Sequence, residues 1–497
     1  MSMTRRAFST LLGGAAVAGL TSLPAAASNV TTDAKVDHAN GLSGYPLRFK
    51  HGQPSAARSA APGETTYFAL SHDAGKTFDL EMTSANGAVV HRFGRVAVNS
   101  QPWSNTTPWS HGAGYRPTVE WTIPAHTPNG VYFLNQLPNL FVVVRDLATT
   151  TPPRADRGLA TALLVPTNTI SAYSLTEGHD FYSKPTHANV LSFLRPFSAS
   201  ERAAWLALLR WVETQDVFGS PRYLIDHDLE EGNALNGVKL LIIDGHSEYW
   251  SRAARLHFER FVASGGHVIV AGGNTMWWQV RYADHGEQLI CYKSVDLDPI
   301  ANPELITINW TDPSLGLPTD LSIGGDFRRG GYGRRAPGAG ASGAGLRVLD
   351  AQHPLLRSID ARSCDMLDLG GVSEFDGAPI KGFDALGRPV ADAAALGAFR
   401  LEILAWDWGH RALYTTIGTA HVYQREELGG TVLHLGAKEC CEGNRPGNVA
   451  MRAICREFAE RIYREQTLFS GLTPTKVVTP LQPPWPGKAP VIHGQCG

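Results

Sequence analysis

The sequence predicts a doubly wound α/β domain with a mostly parallel sheet, preceded by an all-β sandwich. Three observations carry this reading. Between about residues 30 and 146, short apolar runs alternate with turn signals. After about residue 155 the pattern lengthens into strand, helix, strand. The run at 238–243, Val-Lys-Leu-Leu-Ile-Ile, is nearly unbroken in its apolarity, as befits a parallel strand covered on both faces. Composition agrees with a large globular chain: 497 residues, 43% hydrophobic and 18% charged, with a net charge of −2. That balance excludes a strongly basic nucleic-acid binder and a disordered chain. Six cysteines with no C-x-x-C spacing argue against a thiolate zinc site, so a metal here would take oxygen and nitrogen ligands.

The elements follow in chain order. Residues 1–27 read as a twin-arginine signal peptide: Arg5-Arg6 before Phe8, a short Gly/Ala-rich apolar stretch, then Ala25-Ala26-Ala27 as a small-residue cleavage site. The stretch is too short to span a bilayer. Its removal takes two arginines and no acid, moving the net charge from −2 to −4. The expected location is periplasmic or secreted, with no membrane span. Residues 28–148 form the expected sandwich, with strands at 65–70, 78–82, 88–93, 118–123, 131–134 and 140–144. Turns at Asp73-Ala74-Gly75, Asn86-Gly87 and Pro128-Asn129-Gly130 separate them. The Thr/Pro run at 149–154 is the expected linker, and 155–467 the α/β domain. There, Ser200 and Ser251 are expected helix caps. Ala254, Phe258, Phe261 and Val262 recur at helical spacing. Gly265-Gly266 stops that helix before a strand at 267–270. Residues 327–345 are rich in Gly, Ala and Arg and read as a surface loop; 468–497 form a Pro-rich tail.

In an open α/β sheet, sites form beyond the carboxyl ends of strands. The strand at 238–243 runs into Gly245-His246-Ser247-Glu248-Tyr249-Trp250, and that at 267–270 into Gly272-Gly273-Asn274. The strand at 162–165 leads to Ala172-Tyr173-Ser174. Singly, His246 reads as a hydrogen-bonded structural group, Glu248 as a helix cap and Asn274 as a turn residue; together at one edge they read as a site. There is no G-x-S-x-G, H-E-x-x-H or phosphate-loop motif, and the vicinal Cys440-Cys441 reads as structural.

These segments resemble the N,N-dimethylformamidase large (beta) subunit-like family. The resemblance lies in Ala172-Tyr173-Ser174 with the following TEGHDFYS, which is similar to an AYN…Y segment. It also lies in GHSEYWS (245–251), GGNTMWWQVR (272–281) and ICYKSVDLDP (290–299). It implies a glutamine-amidotransferase-like fold without a nucleophilic cysteine, and one ferric ion per chain held by two tyrosines and a glutamate. Carried over residue by residue, the ligands are Tyr132, Tyr173 and Glu248, with His246 and Asn274 catalytic. Glu177 and His179 are expected to add polar contacts. Two phenolates and a carboxylate suit Fe(III); Zn or Mn in the same pocket is the alternative. The implied activity is hydrolysis of a small amide by a soluble enzyme with no nucleic-acid partner. A homo-oligomer and a small partner subunit stay open. Ser174 and the TEGHDFYS run depart from the family pattern beside the pocket and leave the substrate open. The other function read from the sequence is a non-catalytic module binding carbohydrate or a partner.

Overall fold

A computed structural model describes residues 41–145, 158–197, 202–333, 345–471, 475–480 and 482–487. The twin-arginine segment, the linker at 149–154, the cap at Ser200 and most of the 327–345 loop lie outside these residues.

The front of the chain is two β-sheets packed face to face. One orders strands Gln53–Ala56, Leu42–Lys50, Thr65–His72 and Pro117–Thr122. The other orders Ser59–Ala60, Leu137–Val144, Gly130–Leu134, Lys76–Ser84 and Val89–Val98. Phe68, Leu70 and Trp121 of the first meet Leu80, Met82, Leu134 and Val142 of the second. Asn86-Gly87 makes the expected tight turn, with Gly87 at φ +85° and its N–H donating to Ser84 O at 2.9 Å.

Side chains alternate across a strand, and here both faces are used. Tyr132, Leu134, Val142 and Val144 point into the sandwich core. Val131, Phe133, Phe141 and Val143 point the other way, into a second core shared with the large sheet. Polar ties reinforce this junction: Arg145 Nη2 pairs with Asp228 Oδ1 at 2.5 Å, and Arg210 Nε donates to Ala85 O at 2.6 Å.

The large sheet corrects the expected doubly wound architecture. It has ten strands and is mixed. Five are parallel, in the order Arg222–Ile225, Thr161–Val165, Leu240–Asp244, His267–Ala271 and Val432–His434. The sheet then continues antiparallel through Tyr414–Gln424, Arg400–Arg411, Gly345–Val348 and Met366–Asp368. Trp485–Pro486 of the Pro-rich tail pairs onto Tyr414–Gln424. Among the described residues only three helices exceed six residues: Arg202–Val212, Arg252–Ala263 and Pro446–Tyr463. The physical reason lies in the connection from His267–Ala271 to its parallel neighbour Val432–His434. It is not one crossover helix but a long excursion that itself adds antiparallel strands to the sheet. A doubly wound sheet needs helical crossovers throughout, and half of this one lacks them.

Helix Arg252–Ala263 forms as its sequence dictates. Ser251 Oγ accepts from Ala254 N at 3.2 Å, and Ala254, Phe258, Phe261 and Val262 are buried. Ser251, rather than Glu248, is therefore the cap, which leaves the Glu248 carboxylate for other work.

Candidate functional site

The parallel strand Leu240–Asp244 ends at Gly245, whose φ of +67° turns the chain sharply. Glycine adopts this left-handed conformation without steric cost. His246 and Glu248 follow, both about 2% exposed or less. Backbone bonds fix Glu248: its N–H donates to Thr169 Oγ1 at 2.9 Å, and its carbonyl accepts from Trp277 N at 2.8 Å and Trp278 N at 3.0 Å. The short helix Thr167–Ala172 delivers Tyr173 at its C-cap. The next turn delivers Tyr182, because Asp180 Oδ1 accepts from the N–H groups of Tyr182 and Ser183 at 2.7 and 2.5 Å.

These side chains converge. Tyr173 donates its hydroxyl to Glu248 Oε2 at 2.8 Å, and Tyr182 donates to Glu248 Oε1 at 2.8 Å. Both oxygens of one buried carboxylate thus each face a phenol. The two rings stack with centroids 4.6 Å apart, and Tyr249 donates to the Tyr182 hydroxyl at 2.6 Å. The Lys293 ammonium lies 3.4 Å from the Tyr182 ring centroid and donates to Phe181 O at 3.2 Å. Burial is the largest influence on every group here. It raises both phenols well above their ordinary range, with the Glu248 charge adding to the effect. It raises Glu248, against the pull of His246, and pushes Lys293 down to about 8.

His246 joins the cluster at the oxygen that Tyr173 also faces: its Nε2 stands 3.6 Å from Glu248 Oε2 and 3.0 Å from Glu374 Oε2. Asn274 Nδ2 donates to Glu374 Oε1 at 3.3 Å. Asn274 sits at φ +55° in the turn after His267–Ala271, a conformation asparagine tolerates better than most residues. Its Oδ1 is buried and, among the described residues, has no hydrogen-bond partner.

Four of the five residues expected from sequence, Tyr173, Glu248, His246 and Asn274, are brought together. Tyr132 is not. Its hydroxyl donates to Pro128 O at 2.9 Å and its ring packs on Trp121 in the sandwich core. Strand alternation decides this: Tyr173 and Tyr182 pack against the second core, which faces the opposite side of the strand from Tyr132. Nor does His179 join the cluster, its ring stacking on Trp109 at 3.7 Å; Glu177 is exposed. Tyr182 and Glu374 were not singled out in the sequence. The signal for Tyr182 was present, as the second tyrosine in the AYN…Y-like run. Glu374 had none, being a single acid 100 residues from Asn274.

The donor set fits a hard cation. Four oxygens from three side chains already stand in two hydrogen-bonded pairs, and the phenolic protons within those pairs are what a cation would displace. Among the described residues no trio of His, Cys, Asp and Glu gathers at ligand spacing, so a metal here would depend on the phenols.

The family model described as N,N-dimethylformamidase beta subunit-like, C-terminal, matches residues 70–433. The chain belongs to this family. No curated protein matches it. The dimethylformamidase-like match spans both the second half of the sandwich and the mixed sheet. It contains every residue of the cluster, and the family's name is that of an amide hydrolase. Among the described residues no helix is long and apolar enough to cross a membrane.

Proposed function

We propose that this dimethylformamidase-like protein is an exported amidohydrolase that cleaves the C–N bond of a small amide, using one ferric ion per chain held by Tyr173, Tyr182 and Glu248. The observation that carries the reading is the pair of phenols on the two oxygens of Glu248. Bound there, the ion would supply Lewis acidity toward an amide carbonyl and water. The chain's own groups handle the protons. His246, 3.0 Å from Glu374, takes the proton of the attacking water and returns it to the leaving amine. Glu374 holds the imidazole in orientation and balances the charge it gains. Asn274, with its amide nitrogen on Glu374, keeps its oxygen for a substrate N–H or the water. In balance, the C–N bond breaks, the acyl carbon gains the water oxygen and the amine nitrogen gains a proton. The paired arginines at the N-terminus support export of a folded, loaded protein. The description "beta subunit-like" supports assembly with a further chain.

Iron content and the visible phenolate charge-transfer band test this. Wild type is expected to be coloured with one iron per chain. Tyr173→Phe and Tyr182→Phe lose or shift the band, while Tyr132→Phe keeps it. A band that survives Tyr182→Phe but disappears in Tyr132→Phe overturns the ligand set. A colourless, metal-free protein that hydrolyses no amide overturns the enzyme reading in favour of a binding module.

A further inference from the structure

Beside the carboxylates runs an aromatic wall. Trp277, whose backbone is bonded to Glu248, meets Phe327 edge to face with ring centroids 5.3 Å apart. Phe327 meets Tyr332 at 5.0 Å, and Tyr332 meets His410 at 5.8 Å. Tyr332 faces the site electrostatically: burial raises its phenol, and the charges of Glu374 and Glu248 raise it further. On this wall lies Arg411, its guanidinium carbon 5.4 Å from the Trp277 ring centroid.

The charge arrangement around Arg411 is uneven. Asp326 accepts from Arg328 at 3.2 Å and from the backbone N–H of Arg329 at 2.9 Å. Asp320 accepts from Arg328 at 3.4 Å and from Arg329 at 3.0 Å. Two other arginines thus hold these two acids in ion pairs, while the Asp326 charge also reaches Arg411 through space. Among the described residues Arg411 has no ion-pair partner. The guanidinium lies over the Trp277 ring, and among the described residues its N–H donors make no side-chain hydrogen bond or ion pair, so a planar set of donors is left to offer. A planar cation so presented is matched by a carboxylate, which it can grip through two parallel bonds.

We propose that Arg411 determines specificity, and that the substrate of this site is a small amide carrying a carboxylate rather than a neutral dialkyl amide. This rests on the amidohydrolase reading above and narrows its substrate class. The amide is placed at Glu248, His246 and Asn274, and the carboxylate at Arg411 along the Trp277–Tyr332 wall.

The test uses the iron-loaded full chain and three acids of increasing length: N-formylglycine, N-formyl-β-alanine and N-formyl-4-aminobutyrate. Each is paired with its neutral primary amide. Turnover is followed by amine release and binding by calorimetry, in wild type, Arg411→Gln and Arg411→Lys, with thermal melts to confirm folding. For at least one length, wild type should favour the acid over its amide in kcat/KM and in affinity. The loss of a charge-assisted pair should reduce that preference roughly 10- to 100-fold in Arg411→Gln. The change should fall mainly on KM, with partial retention in Arg411→Lys. Equal handling of acid and amide by wild type at every length, or a preference unmoved by Arg411→Gln, overturns the proposal. So does failure to bind any of the acids. An Arg411-dependent binding preference without turnover of any amide upholds the carboxylate site and instead refutes the hydrolytic reading.

Discussion

Replacing Asp298 with asparagine should remove about 2–3 kcal/mol of stability at neutral pH, and the loss should fade in acid. Asp298 accepts five hydrogen bonds. Arg281 reaches both of its oxygens at 2.7 Å, Thr307 donates from N at 2.8 Å and from Oγ1 at 2.7 Å, and Ile300 N donates at 3.1 Å. Burial alone would raise its pKa, but the bonds from Arg281, Thr307 and Ile300 together outweigh it and hold the carboxyl at about 2, against an ordinary 3.8. At about 1.4 kcal/mol per pKa unit, that difference is worth about 2.5 kcal/mol. The sign follows from which state holds the proton. Between pH 2 and 4 the unfolded chain is protonated at this group and the folded chain is not. The contribution is therefore complete above about pH 5 and is lost as pH falls through about 2. Asparagine keeps the shape but lacks the charge, and it turns an NH2 group toward donors. Urea unfolding of wild type and Asp298→Asn at pH 7 and at the lowest pH where both fold measures this. A difference below about 0.5 kcal/mol at pH 7, or one that does not shrink in acid, would refute the reasoning. The matter bears on function because Asp298 ties the loop that delivers Lys293 to the strand Trp278–Ala283.

Two further outcomes follow from the same geometry. Glu374→Gln should retain iron and colour while lowering kcat roughly 10²–10⁴-fold, since it touches His246 and Asn274 but is outside the proposed ligand set; loss of metal in this variant would place Glu374 among the ligands. Asp226, raised to about 7 chiefly by burial despite bonds from Asn168 and Thr167, should make stability fall as pH rises from about 4 through 7, because the folded state then holds a proton that the unfolded state has lost. Asp226→Asn should flatten that part of the pH–stability profile, and an unchanged slope in chemical denaturation would show that other groups set it.

Much of the site was legible because its residues follow strands whose apolar runs announce them. Gly245-His246-Ser247-Glu248 and Gly272-Gly273-Asn274 each begin where a buried parallel strand stops. Helix Arg252–Ala263 was legible from its cap and its spacing. The antiparallel half of the sheet was not. Its longest hairpin, Arg400–Arg411 with Tyr414–Gln424, turns at Ala412, which adopts φ +53° without the Asn or Gly that normally marks such a turn. Tyr132 was misplaced because a short motif carries no parity: one residue along the strand decides which face a side chain takes. Glu374 comes from the long excursion between parallel strands, where nothing local separates it from any other acid.

The strand Gly130–Leu134 also bears on how this protein tolerates change. Because its two faces serve different cores, the front sheets are not a detachable appendage. Cutting them away would lay bare Val131, Phe133, Phe141 and Val143 against water, or strip their partners from the large sheet. A substitution at Phe133 should be felt on the side where Tyr173 and Tyr182 pack, and one at Leu134 should not. Along this sheet a change of side-chain volume on one residue is therefore met by one core, and the same change on its neighbour by the other.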